Sequence, residues 1–151
     1  MNRLKRRLLY LWTGEFAAIC TFIFVYRLYN PGIASLAVLL YLVFILLQGS
    51  FYWFYRYILI IKRKGLNHRF IKIFGVLRWL NMILIVIVGM VIPIIKSSYR
   101  DFLIAIGIFL FGIIEYINYY WYRLSYGKSG FNIVILLNKK LQKSSINKLI
   151  G

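Results

Sequence analysis

Residues 74–95 read FGVLRWLNMILIVIVGMVIPII, an apolar run in which Arg78 is the only charged residue. A helix needs about 20 consecutive apolar residues to cross the hydrocarbon core of a bilayer, which is about 30 Å thick. This run is long enough, and its centre, residues 83–88, contains only Ile, Leu and Val. We therefore predict a membrane-spanning helix over residues 74–95.

Three further segments satisfy the same length criterion, namely residues 8–26, 33–55 and 102–120. The first follows a basic N-terminus, as the apolar region of a signal peptide would. It is too long for such a region, and no small-x-small cleavage site follows it. We therefore expect it to be retained as the first span. The predicted fold class is an all-α, polytopic membrane protein built as a four-transmembrane-helix bundle over residues 1–123.

The composition of the chain agrees with this fold class. Of 151 residues, 62% are hydrophobic and 15% are charged, whereas about a quarter of an average soluble domain is charged. The formal net charge is +17, from 20 Lys and Arg against 3 Asp and Glu. A nucleic-acid-binding domain carries its basic residues in clustered, water-exposed patches. Here they flank long apolar runs, so we expect no nucleic-acid partner.

The positions of the basic residues indicate the orientation of the spans, because short loops rich in Lys and Arg stay cytoplasmic. Most of them precede the first span, lie between the second and third spans, or follow the fourth. The two loops on the other side contribute only Arg27, Lys96 and Arg100. We expect a multi-pass cell-membrane protein with both termini in the cytoplasm, in contact with anionic headgroups. The frequent Ile, Lys, Asn and Tyr indicate an AT-rich, bacterial genome.

Aromatic residues concentrate at the ends of the spans that carry the basic residues. Tyr and Trp prefer the headgroup level because their rings are apolar and their tips are polar. An interfacial belt is therefore the expected role, and a ligand cage is the alternative. The predicted belt comprises Trp12, Trp53, Trp79, Trp121, Tyr119 and Tyr122.

The two halves of the chain show a weak internal similarity. One constant shift superposes Trp12 on Trp79 and Gln48 on Glu115. Parallel internal repeats build some transporters. Both hairpins also end at the same interface, where similar residues are expected without a common origin, so duplication and convergence both stay open.

Each predicted span carries polar residues at a similar depth, and ionisable groups inside a membrane are functional candidates by default. At 1.5 Å of rise per residue, all of those in the layer defined below except Asn118 lie roughly 9 to 13 Å from the basic flank of their span. Spacings of three or four residues place several of them on shared helix faces, so we predict polar stripes that face each other across the bundle. The predicted intramembrane polar layer comprises Glu15, Gln48, Arg78, Asn81, Glu115 and Asn118.

This layer contains two carboxylates, Glu15 and Glu115, but only one cation, Arg78. A buried carboxylate without a cationic partner is costly unless it takes up a proton or binds a cation. One interpretation is structural, with one glutamate paired to Arg78. The others are exchange of a proton or cation at the unpaired glutamate, recognition of a membrane partner, and an intramembrane enzyme.

The sequence offers little for catalysis. His68 is the only histidine and Cys20 the only cysteine, which leaves no Ser-His-Asp set within the spans and no His- or Cys-rich metal centre. We predict no cofactor, no metal site and no enzymatic activity, with a lipid-headgroup enzyme using Glu115 and Asn118 as the alternative.

The expected function is that of an accessory, regulatory or immunity-type protein that acts through contacts with a membrane partner, a second copy or lipids. The alternative function is a small oligomeric proton- or cation-coupled transporter that uses Glu15 or Glu115. Uptake of protons or cations into vesicles distinguishes the two classes.

Residues 124–151 form a basic tail after the fourth span. Its apolar run, residues 131–137, is too short to cross a bilayer. The lysines and aliphatic residues that follow predict an interfacial amphipathic helix on anionic lipid. A partner-binding segment and a frayed terminus are the alternatives.

Overall fold

The computed structural model describes residues 3–63, 65, 67–122 and 142–150. Four of its helices are long and apolar enough to cross a membrane, which confirms the predicted all-α, four-span fold. Of the predicted tail, residues 124–141 and 151 lie outside the described residues. The helices are α1 (Arg3–Tyr29), α2 (Ile33–Lys62), α3 (His68–Ile95), α4 (Tyr99–Tyr120) and the single-turn α5 (Asn147–Ile150).

The end of the bundle where α1 begins and α2 ends is called the basic end. Helices α1, α2 and α3 run past their predicted spans there, whereas α4 ends at Tyr120, as predicted. Helix α2 continues to Lys62 and stops at Arg63, whose φ of 52° is left-handed. Helix α3 begins after Asn67, whose side chain accepts a hydrogen bond from the Arg69 amide at 3.1 Å. These two helix ends therefore coincide with local capping signals that lie beyond the predicted spans.

Helix α2 lies at the centre of the bundle and packs against α1, α3 and α4. In its most apolar stretch 61% of the residues are buried, against 22% in α4 and 11% in both α1 and α3. Helix α1 packs mainly on α2. The boundary between α1 and α4, here called the α1–α4 seam, is consequently the loosest contact among neighbouring helices.

The end opposite the basic end is closed by two short loops. The first of them contains the sequence Asn30-Pro31-Gly32, which is typical of a tight turn, and α2 begins directly after it. Gly32 has a φ of +145°, and a Cβ there would lie 2.5 Å from the side-chain Cγ of Asp101. Glycine is therefore required at this position both by backbone conformation and by the close approach of a carboxylate.

Asp101 joins the two loops. Its Oδ1 accepts hydrogen bonds from the Ser35 amide at 2.9 Å and the Ser35 hydroxyl at 2.5 Å. Its Oδ2 accepts from the amides of Ala34 at 3.2 Å and Ser97 at 3.0 Å. The residue is 0% exposed. Because Gly32 has no side chain to cap α2, the carboxylate of another helix satisfies the first amides of α2.

Candidate functional site

A cavity of about 380 Å³ lies in the α1–α4 seam at the basic end. Helix α1 supplies one wall, because Leu4, Leu8, Leu11 and Glu15 recur at spacings of three and four residues and share a helix face. Helix α4 supplies a second wall, and α2 reaches the cavity through residues near its C-terminal end. We call it the charged cavity, and its polar and charged lining includes Arg7, Glu15, Arg56, Glu115, Asn118 and Tyr119.

The two glutamates of the predicted polar layer meet in this cavity. The carboxylates of Glu15 and Glu115 interact electrostatically with each other. The Asn118 amide donates to Oε2 of Glu115 at 3.3 Å. The described partners of the two carboxylates are therefore neutral groups on α4.

Tyr119 lies between these two carboxylates and the core. Its hydroxyl interacts electrostatically with both Glu15 and Glu115, and within the described part of the chain it has no hydrogen bond of normal geometry. The side chain is 4% exposed, and its ring packs on Gly49 of α2, where an added Cβ would lie 2.6 Å from Cζ. Because Gly49 has no side chain, the ring of Tyr119 can pack on α2 and reach the two carboxylates from inside the bundle.

Two amides of the predicted layer, Gln48 and Asn81, form a separate cluster between α2, α3 and α4. Oε1 of Gln48 accepts from Nδ2 of Asn81 at 2.7 Å and from the Tyr120 hydroxyl at 2.5 Å. Asn81 also donates to the Leu77 carbonyl at 2.8 Å. Gln48 is 6% exposed, and Asn81 and Tyr120 are both 0% exposed. These side chains hydrogen-bond to one another and to the backbone, so the cluster stabilises the packing of α2, α3 and α4.

Arg78 belongs to neither cluster. Its guanidinium carbon lies 3.9 Å from the ring centroid of Trp121, and Nη1 donates to Oδ1 of Asn147 at 3.5 Å. Within the part of the chain that the structure describes, the pairing of Arg78 with a glutamate that charge counting suggested is not formed. The cation is instead stabilised by an aromatic face and by an amide from the C-terminal segment.

That C-terminal segment, residues 142–150, packs on the basic end. The Ser144 amide and the Asn147 side chain each donate to the Trp121 carbonyl at 3.0 Å. Ile146 is 2% exposed, belongs to the main hydrophobic core and lines the charged cavity. These described residues of the predicted tail therefore contribute to the bundle and to the site.

A second cavity of about 350 Å³ lies in the same seam, nearer the short loops. Its lining includes Phe22, Tyr26 and Arg100. Between it and the carboxylates, the rings of Phe22 and Phe111 meet with centroids 5.4 Å apart. The seam thus holds two cavities separated by a pair of phenylalanines.

The residues of the predicted aromatic belt occupy different environments. Trp79 and Tyr122 are 68% and 39% exposed, and the ring of Trp12 lies 5.0 Å from that of Phe54. Trp53 lines the charged cavity. Tyr119, by contrast, is buried in the bundle and faces the carboxylates, and Trp121 lies beneath Arg78.

Sequence reasoning did not select Arg7, Arg56 or Asp101. For the arginines no signal separates a cavity-lining residue from the many basic residues at the same interface. For Asp101 a signal exists, because Ser98 and Asp101 have the Ser-x-x-Asp spacing of a helix N-terminus, and the Ser98 hydroxyl accepts from the Asp101 amide at 3.1 Å.

The chain matches no family model, no curated protein and no solved structure. Among the described residues, no three His, Cys, Asp or Glu side chains come together in a way that could hold a metal ion. The polar groups of the charged cavity include two carboxylates, a buried phenol, the Asn118 amide and two arginines.

Proposed function

We propose that the protein binds and exchanges a proton or a cation at the Glu15–Glu115 pair and acts as a small proton- or cation-coupled transporter. One observation carries this proposal. Two carboxylates from different helices share one cavity within candidate membrane spans, and their described partners, Asn118 and Tyr119, are neutral. Two negative charges in such surroundings strongly favour uptake of positive charge.

The course of the α1–α4 seam supports transport. The charged cavity and the second cavity lie in one line along the seam, with the Phe22–Phe111 contact between them. A movement of α1 that separates these rings would join the two cavities. Alternating exposure of a fixed site through such a movement is the usual mechanism of secondary transporters.

Orientation and assembly are part of the same proposal. We place the basic end in the cytoplasm of a bacterial cell, because short basic loops stay on that side of the cell membrane. Exposed apolar residues on α1 and α3 then contact lipid or a second copy of the chain. The exposed side chains of Arg3 and Arg7 are available to anionic headgroups.

Proton flux into vesicles tests the proposal. The purified full chain is reconstituted with a pH-sensitive dye inside the vesicles, and a pH gradient is imposed. Glu15→Gln and Glu115→Gln should each abolish most of the protein-dependent flux. Gly14→Ala is the matched control, since a Cβ at Gly14 meets no atom within 4 Å, and it should retain full flux. Wild-type flux equal to that of empty vesicles, with protons and with monovalent cations, would contradict the proposal.

An accessory, regulatory or immunity-type role through membrane contacts is the second candidate. The observation that favours it is the low burial of α1, since Leu8 and Ile19 are the only buried residues of this helix. A helix of a partner protein laid along α1 would cover this face. Such a role predicts co-purification of one membrane partner in stoichiometric amount, and loss of that partner when exposed α1 residues such as Phe16 and Phe24 are replaced by alanine.

A further inference from the structure

The charged cavity contains charges of both signs in a fixed order. Arg7 lies two turns nearer the start of α1 than Glu15, which corresponds to about 12 Å along the helix axis. On α2, Arg56 lies seven residues, or about 10 Å, nearer the basic end than Gly49, against which the Tyr119 side chain that interacts with both glutamates packs. The arginines therefore flank the mouth of the cavity, and the carboxylates lie deeper.

We propose that the ligand of this cavity is a small zwitterion, with an ammonium group bound by Glu15 and Glu115 and an anionic group bound by Arg7 and Arg56. This inference rests on the proposed function, since the same two carboxylates hold the cation. It adds that the cationic group belongs to an organic molecule, which also carries an anionic group. Arginine is well suited to such a group because its guanidinium presents several donors to a carboxylate or phosphate.

The remaining lining agrees with a ligand of this kind. Leu8, Leu11 and Ile146 line the cavity together with Trp53, so the part of the ligand between its charges meets an apolar wall. At the deep end, the Tyr119 hydroxyl is buried, interacts electrostatically with both carboxylates and makes no hydrogen bond of normal geometry to any described residue. It is a ready additional partner for an ammonium group. The volume of about 380 Å³ suits a small molecule and lies near the lower limit for ligand cavities.

The order of the charges excludes a phospholipid headgroup from the adjoining leaflet. In an aminophospholipid the phosphate lies nearer the hydrocarbon than the ammonium group does. The cavity has the opposite order, with its carboxylates deep and its arginines at the mouth. The ligand therefore enters from water with its ammonium group first.

Binding of three matched probes tests this inference. They are ε-aminocaproate, which carries both charges, hexylamine, which carries only the ammonium group, and caproate, which carries only the carboxylate. Calorimetry on the purified full chain in uncharged detergent gives the three dissociation constants. We expect ε-aminocaproate to bind about fivefold more tightly than hexylamine, the size of effect of a partly exposed ion pair, and caproate not to bind.

Substitutions separate the two groups of residues. Arg7→Gln and Arg56→Gln should each reduce the preference for ε-aminocaproate over hexylamine without weakening hexylamine, whereas Glu15→Gln should weaken both. Arg3→Gln, on the same helix but outside the cavity lining, should leave both constants unchanged.

The outcomes distinguish this inference from the proposed function. Equal or tighter binding of hexylamine in the wild type would overturn the zwitterion and leave the cation site intact. Competition by micellar phosphatidylethanolamine would assign the cavity to lipid and would also overturn it. Failure of all three probes to bind overturns the zwitterion, and only the additional absence of glutamate-dependent flux overturns the proposed function.

Discussion

Replacement of Asp101 by asparagine is expected to destabilise the bundle strongly although it changes only one side-chain atom. Each carboxylate oxygen accepts two hydrogen bonds, Oδ1 from Ser35 and Oδ2 from Ala34 and Ser97. The amide group of asparagine must replace one of these oxygens. At the Oδ2 position its NH2 group faces two backbone amides, and at the Oδ1 position it faces the Ser35 amide, while the Ser35 hydroxyl can donate to the Asp101 carbonyl and accept from the NH2 group. Asp101→Asn therefore loses at least one hydrogen bond to a charged acceptor, and the bonds that remain are to a neutral one.

The magnitude follows from those contacts. Hydrogen bonds to charged groups contribute about 1.5 to 3 kcal/mol each, and neutral ones about 1 kcal/mol less. The loss of one bond and the weakening of the two bonds at the other oxygen together amount to roughly 3 to 5 kcal/mol. Removing a buried charge returns part of that sum, because burial of the carboxylate is itself costly. We expect a net loss of about 3 kcal/mol in the free energy of unfolding.

Equilibrium unfolding in mixed micelles, followed by tryptophan fluorescence, measures this loss. Tyr99→Phe is the control, because Tyr99 is 75% exposed and lies two residues from Asp101. Amide exchange supplies a local readout, since the Ala34 and Ser35 amides should exchange faster in the variant. A variant with wild-type stability and unchanged exchange at these two amides would refute the role assigned to Asp101.

Two further substitutions test the interior of the bundle. Gln48→Leu removes the oxygen that accepts from Asn81 and Tyr120. Because interhelical hydrogen bonds in membranes contribute up to about 2 kcal/mol each, it should lower the free energy of unfolding by about 1 to 3 kcal/mol. A double-mutant cycle with Asn81→Leu should show coupling between the two positions, and additive effects would argue against the cluster. Gly49→Ala places a Cβ 2.6 Å from Cζ of Tyr119 and should cost about 1 to 3 kcal/mol by overpacking, whereas Gly107→Ala, with open space around it, should leave the unfolding midpoint unchanged or raised.

The spans were predictable because membrane helices follow from the length and composition of apolar runs alone. The run over residues 74–95 lies within α3, and the second span begins at Ile33 in both the prediction and the structure. The ends near the basic end were less predictable. There, α2 and α3 extend past the predicted spans to local capping signals, and hydropathy does not register such signals.

The candidate site was predictable in its carboxylates and amides, but not in its arginines or in its arrangement. Depth along a helix follows from counting residues, so Glu15, Gln48, Asn81 and Glu115 were identified together. Which of them meet depends on how each helix is rotated and which neighbour it packs against. Side chains far apart in the sequence set these contacts, as Gly49 does for Tyr119, and the layer consequently divides into a charged cavity and a closed amide cluster.

Arg78 shows the limit of charge counting most clearly. The sequence places one cation and two carboxylates inside the spans, so an ion pair is the simplest expectation. The guanidinium instead contacts Trp121 and Asn147, and Asn147 lies in a segment that returns to the bundle from the C-terminal side. Composition predicts that a basic tail lies near the membrane surface, but not that its last turn packs into the core.

The polar contacts are distributed unevenly among the helices. Their distribution indicates which helix is least constrained to move in the proposed exchange. Asp101 ties α4 to the start of α2, the Gln48 cluster ties α2 to α3 and α4, and Asn147 contacts Arg78 of α3. Among the described residues, α1 has the Tyr26 hydroxyl bond to the Gly32 carbonyl at 3.1 Å and the contact of Glu15 with Tyr119. Helix α1 is thus held mainly by apolar packing on α2, which constrains sliding and tilting less than directional hydrogen bonds do.

Glu15 and Phe22, at spacings of three and four residues from Ala18, lie on the same face of α1. One displacement of α1 would therefore move a carboxylate of the charged cavity and one ring of the Phe22–Phe111 contact at the same time. Neutralisation of the glutamate pair by a bound cation would remove the repulsion between α1 and α4 at this point. Helices α1 and α4 could then approach each other more closely at Glu15. Because Glu15 and Phe22 lie on the same helix, this approach would be coupled to any displacement of the Phe22 ring.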